Sequence, residues 1–136
     1  MYTYSYKIKF PDCDPAGVIY FAKIFDIAHQ AYESFLSDAE ELPDYFRSEE
    51  IALPIIKADA MFFKPLKLHE EINVVLFITS ISKSSYTIKY EFVDENLITK
   101  AEATTIHVVI DKKVGTKASI PAELMTYLSC HHSEKD

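Results

Sequence analysis

Apolar and polar residues alternate without a break over residues 2–10 of the chain. Such a two-residue period is typical of a strand with one buried face. The sequence therefore predicts a half-buried strand over residues 2–10. The predicted buried face carries five residues: Tyr2, Tyr4, Tyr6, Ile8 and Phe10.

The spacing changes to a helical period from Phe21 onward. Apolar side chains now recur every three or four positions, which predicts an amphipathic helix. Ile27 and Leu36 widen the apolar stripe, so we expect other structure to cover most of this helix. The stripe itself consists of Ile24, Phe25, Ala28, Ala31, Tyr32 and Phe35.

Most of the remaining chain is again predicted to be strand. Turns are expected at residues 81–85 and 93–97, a short amphipathic connector at 41–50 and a final short helix at 121–128. One helix against a long antiparallel sheet is an α+β architecture, and we expect a single domain over residues 1–136. Alternation marks four further strands: 54–64, 71–81, 85–93 and 98–110.

Charge and glycine content exclude two classes of protein. The 136 residues carry a formal net charge of −7 and one arginine, Arg47. Nucleic-acid binding needs clustered basic residues to neutralise phosphates, so we expect no nucleic-acid partner. The chain has two glycines, Gly17 and Gly115, too few for a glycine-rich phosphate loop or a dinucleotide fingerprint.

The sequence also predicts where the protein works. No apolar run approaches the roughly 20 residues of a membrane helix, so we expect no membrane partner. Cys13 and Cys130 lack the spacing of a disulfide framework, and because residues 1–10 alternate and form no apolar core, we expect no secretory signal there. Free thiols favour a reducing compartment, which predicts a cytoplasmic protein.

Residues 12–17, with the sequence Asp-Cys-Asp-Pro-Ala-Gly, interrupt the pattern before the helix. Asp14, Pro15 and Gly17 have the order of a type I turn, in which Asp14 accepts backbone hydrogen bonds. Alternatively, Asp14 is a reacting carboxylate next to a helix start, where unpaired N–H groups stabilise an oxyanion. These two groups suffice to hydrolyse an activated acyl group.

Other candidate chemistry is weaker. Asp12 and Asp14 flank Cys13, and their charges raise the pKa of a thiol and deplete its thiolate. The five histidines show no metal-ligand spacing, so we expect neither a metal nor another cofactor. His29 on the helix is either a hydrogen-bonded structural residue or part of a ligand cavity, and His107 is expected to be structural.

The stretch YKIKFPDCDPAGVIYFAKIFDIAHQAYESFL resembles the hotdog-fold thioesterases of the 4-hydroxybenzoyl-CoA type. Those enzymes open with a strand, a D-x-D-x-x-G-x-V-x-aromatic turn and a long helix. The resemblance implies a hotdog fold, in which a five-stranded antiparallel sheet wraps a long central helix. Residues 17–36 and 51–65 are most similar to the 1,4-dihydroxy-2-naphthoyl-CoA thioesterases of phylloquinone biosynthesis.

This resemblance implies roles for individual residues in binding an acyl-CoA substrate. Asp14 takes the place of the catalytic carboxylate, and the backbone N–H of Phe21 takes that of the oxyanion hole. Gly17 and Tyr20 fall at positions that contact the substrate. His29 falls where the family places a residue that meets a hydroxyl of the aromatic ring.

The basic segment that binds the CoA phosphates in the family corresponds to Lys83, Ser84 and Ser85. The sequence departs from the family here, because the family often has arginine and this segment has one lysine. A second departure is Phe21, where relatives that act on short aliphatic acyl-CoAs have histidine. That difference disfavours a short aliphatic substrate.

The implied reaction is hydrolysis of 1,4-dihydroxy-2-naphthoyl-CoA, with Asp14 as nucleophile or general base. A 4-hydroxybenzoyl-CoA-like thioesterase and a general acyl-CoA or acyl-carrier-protein thioesterase are alternatives with the same chemistry. A non-catalytic acyl-binding domain is a third, because a fold does not fix an activity. The resemblance also implies a homotetramer, built as a dimer of dimers with active sites between subunits.

Overall fold

The computed structural model describes residues 1–133 and places five strands in one sheet. Counting the two short strands outside this sheet, the described residues form seven strands: β1 (Tyr2–Lys7), β2 (Ile51–Ala52), β3 (Ile55–Phe62), β4 (Glu71–Ile81), β5 (Ser85–Val93), β6 (Thr99–Val108) and β7 (Ile110–Asp111). The α-helices are α1 (Lys23–Ser37) and α2 (Ala122–Cys130), and 3₁₀ turns occur at Phe10–Asp12 and Tyr45–Arg47.

The five-stranded sheet has the order β1-β4-β5-β6-β3, and all neighbouring strands are antiparallel. This confirms the predicted antiparallel sheet and the α+β class. Alternate residues of β5 are buried, as the two-residue period requires. They are Tyr86, Ile88, Tyr90 and Phe92. The short strands β2 and β7 pair with each other outside this sheet.

Helix α1 packs one face against the sheet. Its 15 residues begin at Lys23, two positions later than predicted. The opposite side, with Asp26, His29 and Glu33, is exposed, so within a single chain the helix is covered on one side. The buried face consists of Ile24, Ile27, Ala28, Ala31, Tyr32, Phe35 and Leu36.

The first and the last predicted strands end earlier than the periodicity predicts. β1 ends at Lys7 because Pro11 cannot donate a ladder hydrogen bond and lies in a 3₁₀ turn instead. The last predicted strand divides after Val108, and β7 pairs with β2 rather than with the main sheet. No helix within residues 1–133 is long and apolar enough to cross a membrane.

Candidate active site

The turn that carries Asp14 is closed by its own hydrogen bonds. The Gly17 N–H donates to the Asp14 carbonyl (3.0 Å), and the Asp14 N–H donates to the Val18 carbonyl (2.9 Å). Gly17 has φ +80°, a conformation that glycine adopts without steric cost. One carboxylate oxygen of Asp14 accepts the Ala16 N–H at 2.9 Å, as expected of a turn former. The other, Oδ2, has no hydrogen-bond partner among the described residues.

Backbone hydrogen bonds also fix this turn to the segment that follows β3. The Ile19 N–H donates to the Leu66 carbonyl at 2.8 Å, and the Leu68 N–H donates to the Gly17 carbonyl at 3.0 Å. Because main-chain groups make these bonds, the place of Asp14 depends little on neighbouring side chains. The turn therefore holds a carboxylate with one available oxygen at a defined position.

The carboxylate of Asp12, by contrast, accepts hydrogen bonds that stabilise the fold. Its Oδ2 accepts the Tyr6 hydroxyl at 2.7 Å and the Lys9 N–H at 2.9 Å, and the residue is buried. Desolvation, followed by this hydrogen bond to Asp12, raises the pKa of Tyr6 well above its usual range. The two aspartates of the turn thus differ clearly in their surroundings.

Where the turn meets α1, two backbone N–H groups have no hydrogen-bond acceptor among the described residues. The N–H groups of Lys23, Ile24 and Phe25 donate to the three preceding carbonyls, of Tyr20, Phe21 and Ala22. The N–H groups of Phe21 and Ala22 have no acceptor within residues 1–133. The helix dipole adds partial positive charge at this end. An anionic oxygen placed here is therefore stabilised.

The aromatic side chains beside these donors face solvent. Tyr20 and Phe21 are 49% and 63% exposed, and their ring centroids lie 5.0 Å apart. Large apolar side chains left in water are a feature of binding surfaces. The family resemblance predicts that Tyr20 contacts the substrate and that the Phe21 N–H forms the oxyanion hole, and the exposure of both side chains leaves this surface accessible.

A cavity of about 210 Å³ lies between the first turns of α1 and the sheet. His29 lines it from the helix, and its ring is stacked on Tyr32 at a centroid distance of 6.0 Å. The volume is below the range of about 300–1,000 Å³ that encloses a drug-sized ligand, so it fits one ring system. The other walls include Phe25, Ile55, Ala58, Tyr90 and Thr105.

A buried polar chain behind this cavity escaped the sequence analysis. The Tyr90 hydroxyl lies 3.1 Å from Thr105 Oγ1, which lies 2.9 Å from His107 Nε2. His107 Nδ1 lies 3.3 Å from the Leu53 carbonyl oxygen. The sequence signal for these three residues is that polar side chains stand at inward-facing positions of β5 and β6. Buried polar groups need hydrogen-bond partners, so such residues are expected to contact one another.

His107 is held neutral inside the core. Desolvation lowers its pKa to about 4, and the hydrogen bond to Leu53 opposes this shift. The ring lies between Tyr32 and Tyr86, with centroid distances of 4.5 and 5.0 Å. The hydroxyls of these two tyrosines are 2.6 Å apart, and His107 is fully buried.

Lys83, Ser84 and Ser85 lie at the opposite end of the sheet from Asp14. Ser85 pairs with Val108 at the end of β6, whereas the Asp14 turn adjoins the chain beyond Phe62, which pairs with Ala101. Val108 and Ala101 are seven residues apart along β6, which corresponds to about 23 Å at 3.3 Å per residue. One chain therefore does not bring the two groups together.

The cysteine of the turn is a poor nucleophile. Desolvation and the charges of Asp12 and Asp14 raise the pKa of the Cys13 thiol, which depletes the reactive thiolate. Over residues 1–133, no three His, Cys, Asp or Glu side chains are grouped closely enough to hold a metal ion.

Known proteins are similar to this chain in sequence and architecture over nearly its whole length. The chain is 37% identical to a 1,4-dihydroxy-2-naphthoyl-CoA hydrolase of Crocosphaera subtropica, over 97% of this chain and 98% of that one. It is 31% identical to the hydrolase of the same name from Nostoc punctiforme, over 99% and 91%.

A solved structure of a 1,4-dihydroxy-2-naphthoyl-CoA thioesterase from Synechocystis superposes with a TM-score of 0.86. It is 33% identical and covers 94% of this chain and 95% of its own. The family model described as the thioesterase-like superfamily matches residues 8–128. On this sequence match and this hotdog architecture, the chain belongs to the thioesterase-like superfamily.

Proposed function

We propose that this protein hydrolyses the thioester of 1,4-dihydroxy-2-naphthoyl-CoA to the free acid and CoA. One observation carries the proposal: a carboxylate with an available oxygen lies in the same loop as two unpaired backbone N–H groups. This arrangement occurs in a chain that is similar from end to end to hydrolases named for that thioester. Carboxylate and donors are the minimum needed for hydrolysis of an activated acyl group.

In the proposed reaction, the thioester carbonyl oxygen lies against the N–H of Phe21 and gains negative charge there. Asp14 acts in one of two ways. It attacks the carbonyl carbon, expelling CoA thiolate and forming an anhydride that water cleaves, or it takes a proton from a water that attacks directly. In both routes the carbon–sulfur bond breaks. No strong general acid is needed, because a thiol has a pKa near 8.5.

His29 orients the aromatic ring in this proposal. The cavity that it lines accepts a ring system and leaves no space for the CoA moiety, which extends outward past Gly17 and Tyr20. A hydrogen bond from the imidazole to a ring hydroxyl then fixes the acyl group relative to Asp14. Hydrogen-bonding groups in a site discriminate strongly against a substrate that lacks the partner.

We propose that two copies pair through β3. This strand is hydrogen-bonded to β6 along one edge, and its other edge has no partner strand within residues 1–133. Seven of its eight residues are exposed, including Ile56 and Met61, which are 62% and 61% exposed. A long apolar edge strand is a template for pairing. The opposite edge of the sheet, β1, is shorter and exposes Thr3, Ser5 and Lys7.

This pairing supports a role for Lys83, Ser84 and Ser85 in CoA binding. Two antiparallel copies of β3 run in opposite directions, so the Ile55 end of one lies near the Phe62 end of the other. The hairpin that carries Lys83 of the partner subunit is thereby brought to the side where Asp14 lies. A lysine there supplies a positive charge to a CoA phosphate.

We further propose that two such dimers form a homotetramer. The exposed aromatic rings of Phe21 and Phe46 are apolar surface that further contacts cover, and the same contacts cover the polar, exposed side of α1. Covered on both sides, α1 becomes the central helix that the resemblance implies. A cytoplasmic location is proposed as well, because both cysteines are free thiols.

Steady-state hydrolysis of a panel of CoA thioesters tests the proposed function. The panel contains 1,4-dihydroxy-2-naphthoyl-CoA, 4-hydroxybenzoyl-CoA, benzoyl-CoA and hexanoyl-CoA, and release of free thiol is measured. We expect the highest kcat/KM for the dihydroxynaphthoyl thioester. A higher value for 4-hydroxybenzoyl-CoA or hexanoyl-CoA points to the alternative thioesterases, and no turnover of any member points to a binding domain.

The His29→Ala variant tests the role of the imidazole. Loss of one buried hydrogen bond costs about 1–3 kcal/mol, so kcat/KM for the dihydroxynaphthoyl thioester should fall roughly tenfold or more. The value for unhydroxylated 2-naphthoyl-CoA should change little. Equal losses on both thioesters would show that His29 only packs against its neighbours.

A further inference from the structure

The polar chain behind the cavity has a defined direction of hydrogen bonding. A backbone carbonyl only accepts, so His107 must donate its Nδ1–H to Leu53. Burial holds the imidazole neutral, and a neutral imidazole carries one N–H. Nε2 is therefore an acceptor, and the hydroxyl of Thr105 donates to it across 2.9 Å.

The direction continues to Tyr90. Thr105 has used its one hydroxyl proton on His107, so it accepts from its remaining neighbour, the Tyr90 hydroxyl at 3.1 Å. Tyr90 has then used its proton as well. No other hydrogen bond reaches the Tyr90 oxygen from the described residues, and its lone pairs are left without a donor.

Tyr90 and Thr105 both line the cavity that contains His29. Both are nearly inaccessible to solvent, at 1% and 4% exposure, so bulk water does not satisfy the Tyr90 oxygen freely. A buried acceptor without a donor is unfavourable until a ligand supplies one. The cavity wall that Tyr90 forms therefore favours a ligand that donates a hydrogen bond.

We propose that the Tyr90 oxygen accepts a hydrogen bond from a ring hydroxyl of the aromatic acyl group. Thr105 and His107 are positioning residues in this proposal, because they keep the Tyr90 proton turned away from the ligand. The inference rests on the proposed function and adds a specificity determinant to it. With His29 on the helix and Tyr90 on the sheet, the cavity offers polar partners from two sides to a ring with two hydroxyls.

The test compares two thioesters that differ in their hydroxyls, 1,4-dihydroxy-2-naphthoyl-CoA and 2-naphthoyl-CoA. The readout is the ratio of their kcat/KM values. We expect Tyr90→Phe to lower this ratio about tenfold, because the acceptor is gone. Thr105→Val should lower it similarly, since the Tyr90 proton loses its acceptor and the hydroxyl reorients.

Two further variants separate this role from simple packing. Thr105→Ser keeps the hydroxyl and should retain a ratio within about twofold of the unchanged protein. Thr104→Val removes a hydroxyl from the adjacent position, on the outer face of β6, and should also leave the ratio unchanged. Equal kcat/KM ratios in Thr105→Val and Thr105→Ser would overturn the proposal.

The outcomes also distinguish this inference from the function on which it rests. If the unchanged protein hydrolyses neither naphthoyl thioester, the proposed function fails and the role of Tyr90 fails with it. If it hydrolyses both and Tyr90→Phe lowers their kcat/KM values in equal proportion, the function stands. Tyr90 is then a packing residue only.

Discussion

Two aspartates separated by one residue have different surroundings. Both oxygens of a carboxylate accept hydrogen bonds, and Asp12 uses its Oδ2 for Tyr6 and Lys9. Asp14 uses Oδ1 for the Ala16 N–H and keeps Oδ2 available. The turn-forming and the reactive interpretations of Asp14 are therefore compatible, because each uses a different oxygen.

Replacing Asp14 with asparagine separates these interpretations. The amide oxygen still accepts the Ala16 N–H, so the turn and the circular dichroism spectrum should be unchanged. An amide neither attacks a carbonyl nor takes a proton at neutral pH, so kcat should fall by at least about 10²–10⁴. Thiol release from 1,4-dihydroxy-2-naphthoyl-CoA measures this loss, and normal turnover in the variant would return Asp14 to a purely structural role.

Asp12→Asn is the matched control. The buried carboxylate holds Tyr6 and Lys9, and weakening these bonds should lower the free energy of unfolding by about 1–3 kcal/mol. Below the unfolding transition, the variant should keep most of its kcat. Urea unfolding and thiol release measured on the same sample give both quantities.

Strand β6 places a titratable group in the core. The folded-state pKa of His107 is about 4, below the value near 6.5 of an unfolded chain. Between these values the unfolded chain binds the proton and the folded chain does not. His107 therefore stabilises the fold fully above about pH 6.5, and this contribution is lost as the pH falls toward 4.

The expected effect is measurable by urea unfolding between pH 7 and pH 4.5. His107 should account for about 2 kcal/mol of the stability lost over this range. His107→Gln removes the titration, so its free energy of unfolding should depend less steeply on pH. His132→Gln, at an exposed histidine, should retain the original slope, and parallel slopes in all three proteins would contradict the buried neutral state.

At the scale of elements, periodicity predicted the sheet and both helices because each burial pattern extends over many residues. The alternating pattern continues through Phe10. It therefore does not reveal that Pro11 and the carboxylate of Asp12 end β1 earlier, at Lys7. The turn at Asp14 was predictable, because Asp, Pro and Gly at these positions are a local signal. The Tyr90–Thr105–His107 chain was not, since it depends on the register between β5 and β6.

At the scale of the whole molecule, β3 is the element that a single chain leaves uncovered. Met61 is the seventh of the eight residues of β3 and is 61% exposed. In the proposed dimer, Met61→Lys places a charge in an apolar contact, and burying an unpaired charge is strongly unfavourable. We expect the variant to sediment as a 15.6 kDa monomer and to lose most of its turnover.

Val114→Lys provides the control for this prediction. Val114 is 69% exposed and lies in the loop after β7, outside β3, so the added charge stays in water. This variant should keep the sedimentation behaviour and activity of the unchanged protein. A monomer that turns over fully, in either the unchanged protein or Met61→Lys, would exclude a site completed by a second subunit.

The backbone hydrogen bonds of the Asp14 turn have an evolutionary consequence. Main-chain groups at Gly17, Ile19 and Leu66 hold the turn of Asp14, the carboxylate proposed to react, whereas side chains on α1, β5 and β6 shape the cavity. Mutations that alter the cavity walls therefore leave the carboxylate in place. In the proposed mechanism, a duplicated gene can therefore drift toward a new acyl group one wall residue at a time while each intermediate keeps its reacting carboxylate in position.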